Sequence, residues 1–417
     1  MAPHDPDSFR GRLLATLRLQ FPDALDPAGG FRLLGPESGE PYTADRRHLV
    51  ATCRSVANFA VGAIADGPDW CVEAAEHGIA FLESAHRADG REEGYHLVVA
   101  PDGSPVDRTR SAYGHAFVLL AYARAAAAEV HGVAAGLDAT ADLLRERFHD
   151  GTGCLRSDCG PDWTEAEPYR GQNASMHACE AYLAAYEATD DRSHLRRAER
   201  IAERITVDLA AETDGLLWEH YDADWAHDFA YNADEPRHQF RPPGYQPGHH
   251  VEWAKLCALL DRYDAAAPAD DESVPGSGDW YDRAVALFDA AVDLGWSEGG
   301  FAYTAEADGS PIVGDRYGWA LAEAIGAAAA LAERATERGD EAAVGRFRER
   351  HERFVDHVDA YRGPAGLWYE KRPPAGGEGD PVPPEPPGVE PDYHPASAWL
   401  ESWRSGIRRT RAEKAES

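Results

Sequence analysis

The chain has 417 residues, 43 % hydrophobic and 10 % aromatic, which suffices for a large buried core and is too apolar for a disordered segment. Its formal net charge of −32 sets 73 acidic against 41 basic side chains. That balance argues against a nucleic-acid or anionic-membrane surface, because phosphate contacts need Lys and Arg. Only Lys255, Lys371 and Lys414 are lysines, and excess carboxylate with scarce lysine fits a halophilic, high-salt cytoplasm where screening tolerates like charges. An ordinary acidic protein is the plainer alternative.

In chain order, Met1 to Asp7 is polar and lacks the apolar stretch of a secretory leader. The alanine-rich apolar runs are interrupted, so none is expected to span a bilayer. Cys53, Cys71, Cys154, Cys159, Cys179 and Cys257 form no C-x-x-C pair and read as reduced thiols of a cytoplasmic protein. Apolar residues recurring at three and four positions predict helices near 6–20, 46–65, 70–87, 111–131, 135–149 and 173–189. Six more are predicted near 193–212, 249–264, 279–294, 316–336, 340–361 and 396–410. Strand-like runs are short and lie between helices, at 95–99, 216–221, 301–305 and 367–370. The Pro/Gly-rich segment 373–391 is a predicted loop, and a long loop inside a compact domain is often functional. No stretch reads as a linker, so residues 1–417 are expected to form one catalytic domain.

An internal repeat bears on the architecture. Gly94-Tyr95 followed by Asp102-Gly103-Ser104-Pro105 recurs as Gly300-Phe301 and Asp308-Gly309-Ser310-Pro311, 206 positions later. Asp-Gly between alternating apolar residues predicts a hairpin turn, because Gly accepts a positive φ. Each hairpin runs into a predicted helix opening Tyr113-Gly114-His115-Ala116 or Tyr317-Gly318-Trp319-Ala320. Twelve helices with pseudo-twofold repetition predict an all-α fold, an (α/α)6 barrel with short β-hairpins in its loops.

Three histidines stand in segments more polar than a core helix needs. They are His177 in Arg170-Gly171-Gln172-Asn173-Ala174-Ser175-Met176-His177, His249 in Pro247-Gly248-His249-His250-Val251-Glu252-Trp253, and His394 in Asp392-Tyr393-His394-Pro395. The first two share H-x-x-E, which sets imidazole and carboxylate one turn apart on a helix face. A carboxylate there can orient an imidazole for acid/base work near neutrality. Neutral hydrogen-bonding groups, a few charges and flat aromatic faces such as Trp253 and Trp319 are what a sugar requires.

With Thr52-Cys53-Arg54, Tyr113-Gly114-His115-Ala116-Phe117, Trp319 with Glu323, and Pro391-Asp392-Tyr393-His394, these motifs resemble the N-acylglucosamine 2-epimerase superfamily. The match is in particular to its mannose isomerase and sulfoquinovose isomerase branch, and it covers residues 50–400 in order. The resemblance implies an (α/α)6 barrel without metal or other cofactor, acting on a free monosaccharide. It implies His249 and His394 as the acid/base pair, with Arg54 and His177 as polar partners at the reacting end. It further implies that Glu252 steadies His249, while Asn173, Tyr113, Arg241, Trp253, Trp319 and Glu323 line the sugar pocket.

Those residue types suit deprotonation next to a sugar carbonyl. A neutral histidine removes the C2 proton of the open chain, giving a cis-enediolate whose oxyanion a guanidinium such as Arg54 can hold. Returning the proton to C1 gives aldose–ketose isomerisation; protonating C2 from the other face gives 2-epimerisation. The competing readings are an N-acylglucosamine or cellobiose 2-epimerase, a glycoside hydrolase on the same toroid with two carboxylates flanking the bond, and a non-catalytic sugar-binding protein.

Overall fold

A computed structural model describes residues 6–88, 93–266, 279–386 and 388–415. The helices are α1 (Pro6–Gln20), α2 (Leu49–Ile64), α3 (Trp70–Phe81), α4 (Ala112–Ala127), α5 (Ala134–Leu143) and α6 (Gln172–Thr189). They continue as α7 (Arg192–Glu203), α8 (Pro247–Ala265), α9 (Trp280–Gly295), α10 (Gly318–Glu337), α11 (Glu341–Val355) and α12 (Tyr393–Ala415). The even-numbered helices form an inner ring in which each packs on the next and α12 closes back onto α2. The odd-numbered helices pack outside it, α3 on α2, α5 on α4 and so on, with α1 against α12. This is the (α/α)6 barrel expected from the sequence.

Composition explains which helices are inside. α10 reads Gly-Trp-Ala-Leu-Ala-Glu-Ala-Ile-Gly-Ala-Ala-Ala-Ala-Leu and is buried along nearly its whole length, as a helix apolar all round must be. α7 buries only a stripe, His194, Leu195, Ala198, Glu199, Ile201 and Ala202, and turns its arginines outward. The helices expected at 70–87 and 135–149 end in wide π-helical turns, Leu82–His86 and Leu144–Phe148.

Short strands form a collar at one end of the ring. Arg47–His48, Val98–Val99 and Pro105–Asp107 make one sheet, and Tyr169–Gly171 pairs with His220–Asp222. Trp296–Ser297, Gly300–Ala305, Pro311–Tyr317 and Lys371–Arg372 make a third. Three of these strands end where α2, α6 and α10 begin, so the collar delivers the chain into the inner-helix N-termini. The strand run expected at 367–370 pairs instead at 371–372, where Lys371 faces Tyr317. Both repeat hairpins are present and alike. Gly103 (φ 84°) and Gly309 (φ 81°) take the left-handed conformation. Asp102 and Asp308 each accept from the backbone N–H of the serine two residues on, at 2.9 Å. All six cysteines are buried free thiols.

Several histidines pin this collar to the ring. His115 Nδ1 bonds the Ser111 carbonyl at 2.7 Å while its Nε2 accepts from the Tyr95 N–H at 3.1 Å. His250 repeats the arrangement with the Gln246 carbonyl (2.8 Å) and the Leu217 N–H (3.0 Å). Burial pushes His115 and His250 down to about 4, and likewise His48, His149 and His177, with His86 at about 3. Such groups stay neutral when folded but take up protons when unfolded below the ordinary imidazole value near 6.5. Their contribution is complete above pH 6.5 and is lost as pH falls through 4. Asp158, Glu252, Glu333, Glu370 and Asp392, raised by burial, act in the opposite sense but are fewer. Thermal melts are therefore expected to drop steeply between pH 6.5 and 4, with net proton uptake on unfolding measurable in weakly buffered urea. Melting that is flat across that window would contradict the assignment.

Candidate active site

The first turns of all six inner helices meet beneath the collar. They line a cavity of about 130 Å³ that includes Arg54 from α2, Tyr113 from α4, Asn173 and His177 from α6, His249 and Glu252 from α8, Trp319 from α10 and His394 from α12. The roof comes from the 368–392 segment, including Trp368, Glu385, Val389, Glu390 and Asp392. Tyr303, Tyr317 and Tyr369 add further flat faces.

Two histidines flank one indole. The Trp319 ring lies 5.2 Å from the His249 ring and 5.8 Å from that of His394, centre to centre. A Cβ at Gly248 would overlap the Trp319 ring, so glycine there is what lets the indole reach His249. Each imidazole is held from behind by a carboxylate. His249 Nδ1 is 2.9 Å from Glu219 Oε2, and His394 Nδ1 is 2.8 Å from Glu323 Oε1. Ionised glutamates accept the Nδ1–H of each ring, with the Gln172 amide nitrogen also 2.9 Å from His249 Nδ1, and His394 Nε2 is left facing Arg54 and Glu390. Burial works against the charge of Glu219, but His249 and Gln172 outweigh it and hold the carboxyl below its usual range. For Glu323 burial is likewise overcome, by Lys255 and by His394.

Arg54 is buried and multiply held. Its Nη1 donates to the Val389 carbonyl (3.1 Å) and to Glu390 Oε2 (3.0 Å), while Nη2 donates to Tyr113 Oη (3.0 Å). Nη2 also lies 3.3 Å from His394 Nε2. The guanidinium carbon lies over the Phe117 and Tyr393 rings, 4.6 and 4.9 Å from their centres. Burial disfavours its charge, yet Tyr113, Glu390 and Tyr393 more than compensate, so it remains a fixed cation. His177 Nδ1 bonds Glu180 Oε2 at 3.0 Å, and burial holds this imidazole neutral.

Below the histidines, Glu180, Glu252 and Glu323 gather around Lys255, whose ammonium is bonded to Glu323 Oε2. Glu252 offers an oxygen within 4.8 Å of ligating atoms of His177 and Glu180 on one side and of Glu323 and His394 on the other. The donor types are those of a cation site, and the cation among them is the chain's own. Burial first and Glu323 second push the Glu252 carboxyl well above its ordinary value.

The sequence profile of the N-acylglucosamine 2-epimerase family matches residues 29–398. The chain belongs to this family. It is 36 % identical over 318 residues to a D-mannose isomerase of Marinomonas mediterranea, covering 75 % of this chain and 77 % of that protein. It is 38 % identical over 339 residues to a D-mannose isomerase of Thermobifida fusca, covering 80 % and 79 %. A crystal structure of a D-mannose isomerase superposes with a TM-score of 0.85 at 30 % identity, covering 97 % of this chain and 99 % of that one. The chain is accordingly an enzyme of the isomerase and epimerase class that acts on sugars.

Within this epimerase-family cavity the structure gathers His249, His394, Arg54, His177, Glu252, Asn173, Tyr113 and Trp319 as expected. Four expectations are corrected. Glu252 does not steady His249; Glu219, brought by the strand beside α6, does so, and Glu252 lies 3.7 Å from His177 Nδ1 instead. Trp253 is fully buried and donates its indole N–H to Gln172 Oε1 at 2.7 Å rather than facing the cavity. That bond orients Gln172 so that its amide N–H₂ supports Glu219 at 2.8 Å. Glu323 sits behind His394, not on the cavity wall. Arg241 stacks on Tyr169, pairs with Glu167 at 2.6 Å and lines a separate, adjoining cavity of about 280 Å³. Asn173 borders both cavities with its Oδ1 buried and unpartnered, ready to accept from a sugar hydroxyl.

Sequence reasoning missed Glu219, Lys255 and Glu390. Glu219 lies in a short strand run without a motif, and Glu390 in the segment read only as a loop. Lys255 had one signal, its place among only three lysines.

Proposed function

We propose that this chain is an aldose–ketose isomerase interconverting D-mannose and D-fructose through a cis-enediolate, with His394 carrying the proton between C2 and C1. The observation that carries the reading is the Arg54–His394 pair. A base nitrogen lies 3.3 Å from a guanidinium N–H, so one substrate carbon and its carbonyl oxygen can meet base and cation together. The guanidinium holds the developing oxyanion without exchanging a proton. The neutral imidazole of His394 removes the C2 proton and returns it to C1 on the same face, while the hydroxyl proton passes from O2 to O1 between the adjacent oxygens of the cis-enediolate. His249, across Trp319, moves a proton between the ring oxygen and the anomeric oxygen, because free sugars enter mostly as closed rings. His177, Asn173 and Tyr113 bind hydroxyls.

Arg54 is the sole arginine or lysine among the described residues lining the cavity, whereas Glu370, Glu385 and Glu390 add carboxylates. That favours an uncharged sugar over a sulfonated one. The names of the relatives favour isomerisation over 2-epimerisation. The names of the relatives likewise favour an isomerase over a hydrolase, which works with two carboxylates flanking the bond.

Residues 1–417 act as one catalytic domain in a high-salt cytoplasm, a reading supported by the −32 charge. The melting temperature is expected to rise with potassium chloride from dilute buffer to molar salt; full stability in dilute buffer would contradict the habitat. Purified protein is expected to convert D-mannose to D-fructose, and the reverse, without added metal or nucleotide and in the presence of EDTA. D-glucose, N-acetylmannosamine and cellobiose serve as the comparison substrates. Loss of turnover in EDTA with restoration by a divalent ion, or faster conversion of N-acetylmannosamine or cellobiose to a 2-epimer, would overturn the reading.

A further inference from the structure

The carboxylates behind the histidines raise a question that their own hydrogen bonds do not answer. Glu180, Glu252 and Glu323 are all buried, and three neighbouring buried carboxyls cannot all stay ionised without a cation. Glu323 is the one on which His394 depends. An ionised Glu323 accepts the proton of His394 Nδ1 and leaves Nε2 as a lone pair facing Arg54 and Glu390. A protonated Glu323 would donate to Nδ1 instead, move the ring proton to Nε2 and remove the base from the cavity.

The group that decides between these states is Lys255, one of three lysines in a chain whose other basic residues are arginine. It is buried on the third turn of α8, and its ammonium is bonded to Glu323 Oε2, the oxygen His394 does not use. Glu180 and Glu252 are its other nearby charge partners. We propose that Lys255 is a positioning residue for the isomerisation: its ammonium keeps Glu323 ionised, and so keeps the proton of His394 on Nδ1 and the base on Nε2. The proposal rests on the reading that His394 carries the C2 proton.

The charged and titratable groups around this point come from every inner helix. α2 contributes Arg54 and α4 Tyr113 and Arg124; α6 contributes His177, Glu180 and Glu187; α8 adds Glu252 beside Lys255. α10 contributes Glu323, and α12 Tyr393, His394, Glu401 and Arg404. Arg124 and Arg404 are committed to Glu187, and Arg54 faces the cavity side, so Lys255 is the cation that meets Glu323 directly. Removing it raises the Glu323 carboxyl, and the active, ionised form is then reached only at higher pH.

Wild-type conversion of D-mannose is measured first, and its failure would reject the function reading rather than this one. In Lys255→Met, kcat at pH 7 is expected to fall at least tenfold with KM within threefold. The acid limb of the kcat–pH profile moves up by one unit or more, so that part of the loss is recovered at high pH. Lys255→Arg, which keeps the charge, retains the wild-type limb. A merely structural lysine would lower stability and depress kcat evenly at all pH values. An acid limb that stays in place in folded Lys255→Met overturns the proposal. Should Lys255→Met not fold, Glu180→Gln is compared with Glu180→Gln/Lys255→Met, in which a carboxylate is removed together with the ammonium while Glu323 still loses its direct partner. The same upward displacement of the limb on adding Lys255→Met supports the role, and an unmoved limb rejects it.

Discussion

A His394→Asn variant is expected to lose roughly 100- to 10,000-fold in kcat on D-mannose, the range of a positioned general base. It should also lose exchange of the C2 proton with solvent. Both follow because His394 Nε2 is the imidazole nitrogen that lies against Arg54, at 3.3 Å. Asparagine keeps a polar group near Glu323 but offers no basic nitrogen. The matching variant His249→Asn separates the two roles. It should lose turnover on the closed sugar while keeping measurable C2 exchange in the open-chain fraction, since abstraction does not pass through His249. Exchange and conversion are read together by proton NMR in deuterium oxide. If His394→Asn converts mannose at the wild-type rate, or if His249→Asn alone abolishes exchange, the division of labour is wrong.

The second large effect is expected at Arg54. Arg54→Lys should reduce kcat about 100- to 1,000-fold, as removal of an oxyanion donor does, with KM changed only a few-fold. The fork of Arg54 serves Tyr113 Oη, Glu390 and the Val389 carbonyl at once, at 3.0, 3.0 and 3.1 Å. A single ammonium on a different stem cannot reproduce that plane, nor cover the Phe117 and Tyr393 rings together. Steady-state kinetics beside a thermal melt makes the check. Near-normal kcat in Arg54→Lys would mean that the guanidinium holds the roof segment and has no part in the chemistry.

The barrel was legible in the sequence because its inner helices are periodic, long and alanine-rich, and because the two Asp-Gly hairpins repeat half a chain apart. The cavity-facing residues were legible because they lie in the first turns of those helices, next to Gly and Pro that mark the starts. What failed was inference from local spacing about partners. His177-x-x-Glu180 and His249-x-x-Glu252 have identical spacing, yet only the first closes, at 3.0 Å. Around His249 a tertiary contact wins: the 220–222 strand pairs beside α6 and delivers Glu219, with Gln172 behind it. Glu252 is thereby left to lean towards His177, and Trp253, one turn on from His249, is drawn into the core by its bond to Gln172. Arg241 was misjudged for a similar reason. It lies near His249 in sequence, but Tyr169 and Glu167 hold it over the adjoining cavity.

Proton NMR of D-mannose turnover by the wild-type enzyme in deuterium oxide tests the enediolate most directly. The predicted product is D-fructose carrying solvent deuterium at C1, with D-glucose labelled at C2 absent or far slower to form. Partial labelling means that the imidazolium returns some of the abstracted protons before they exchange, whereas glucose as the main product would indicate 2-epimerisation and would contradict proton transfer by His394 on one face of the sugar.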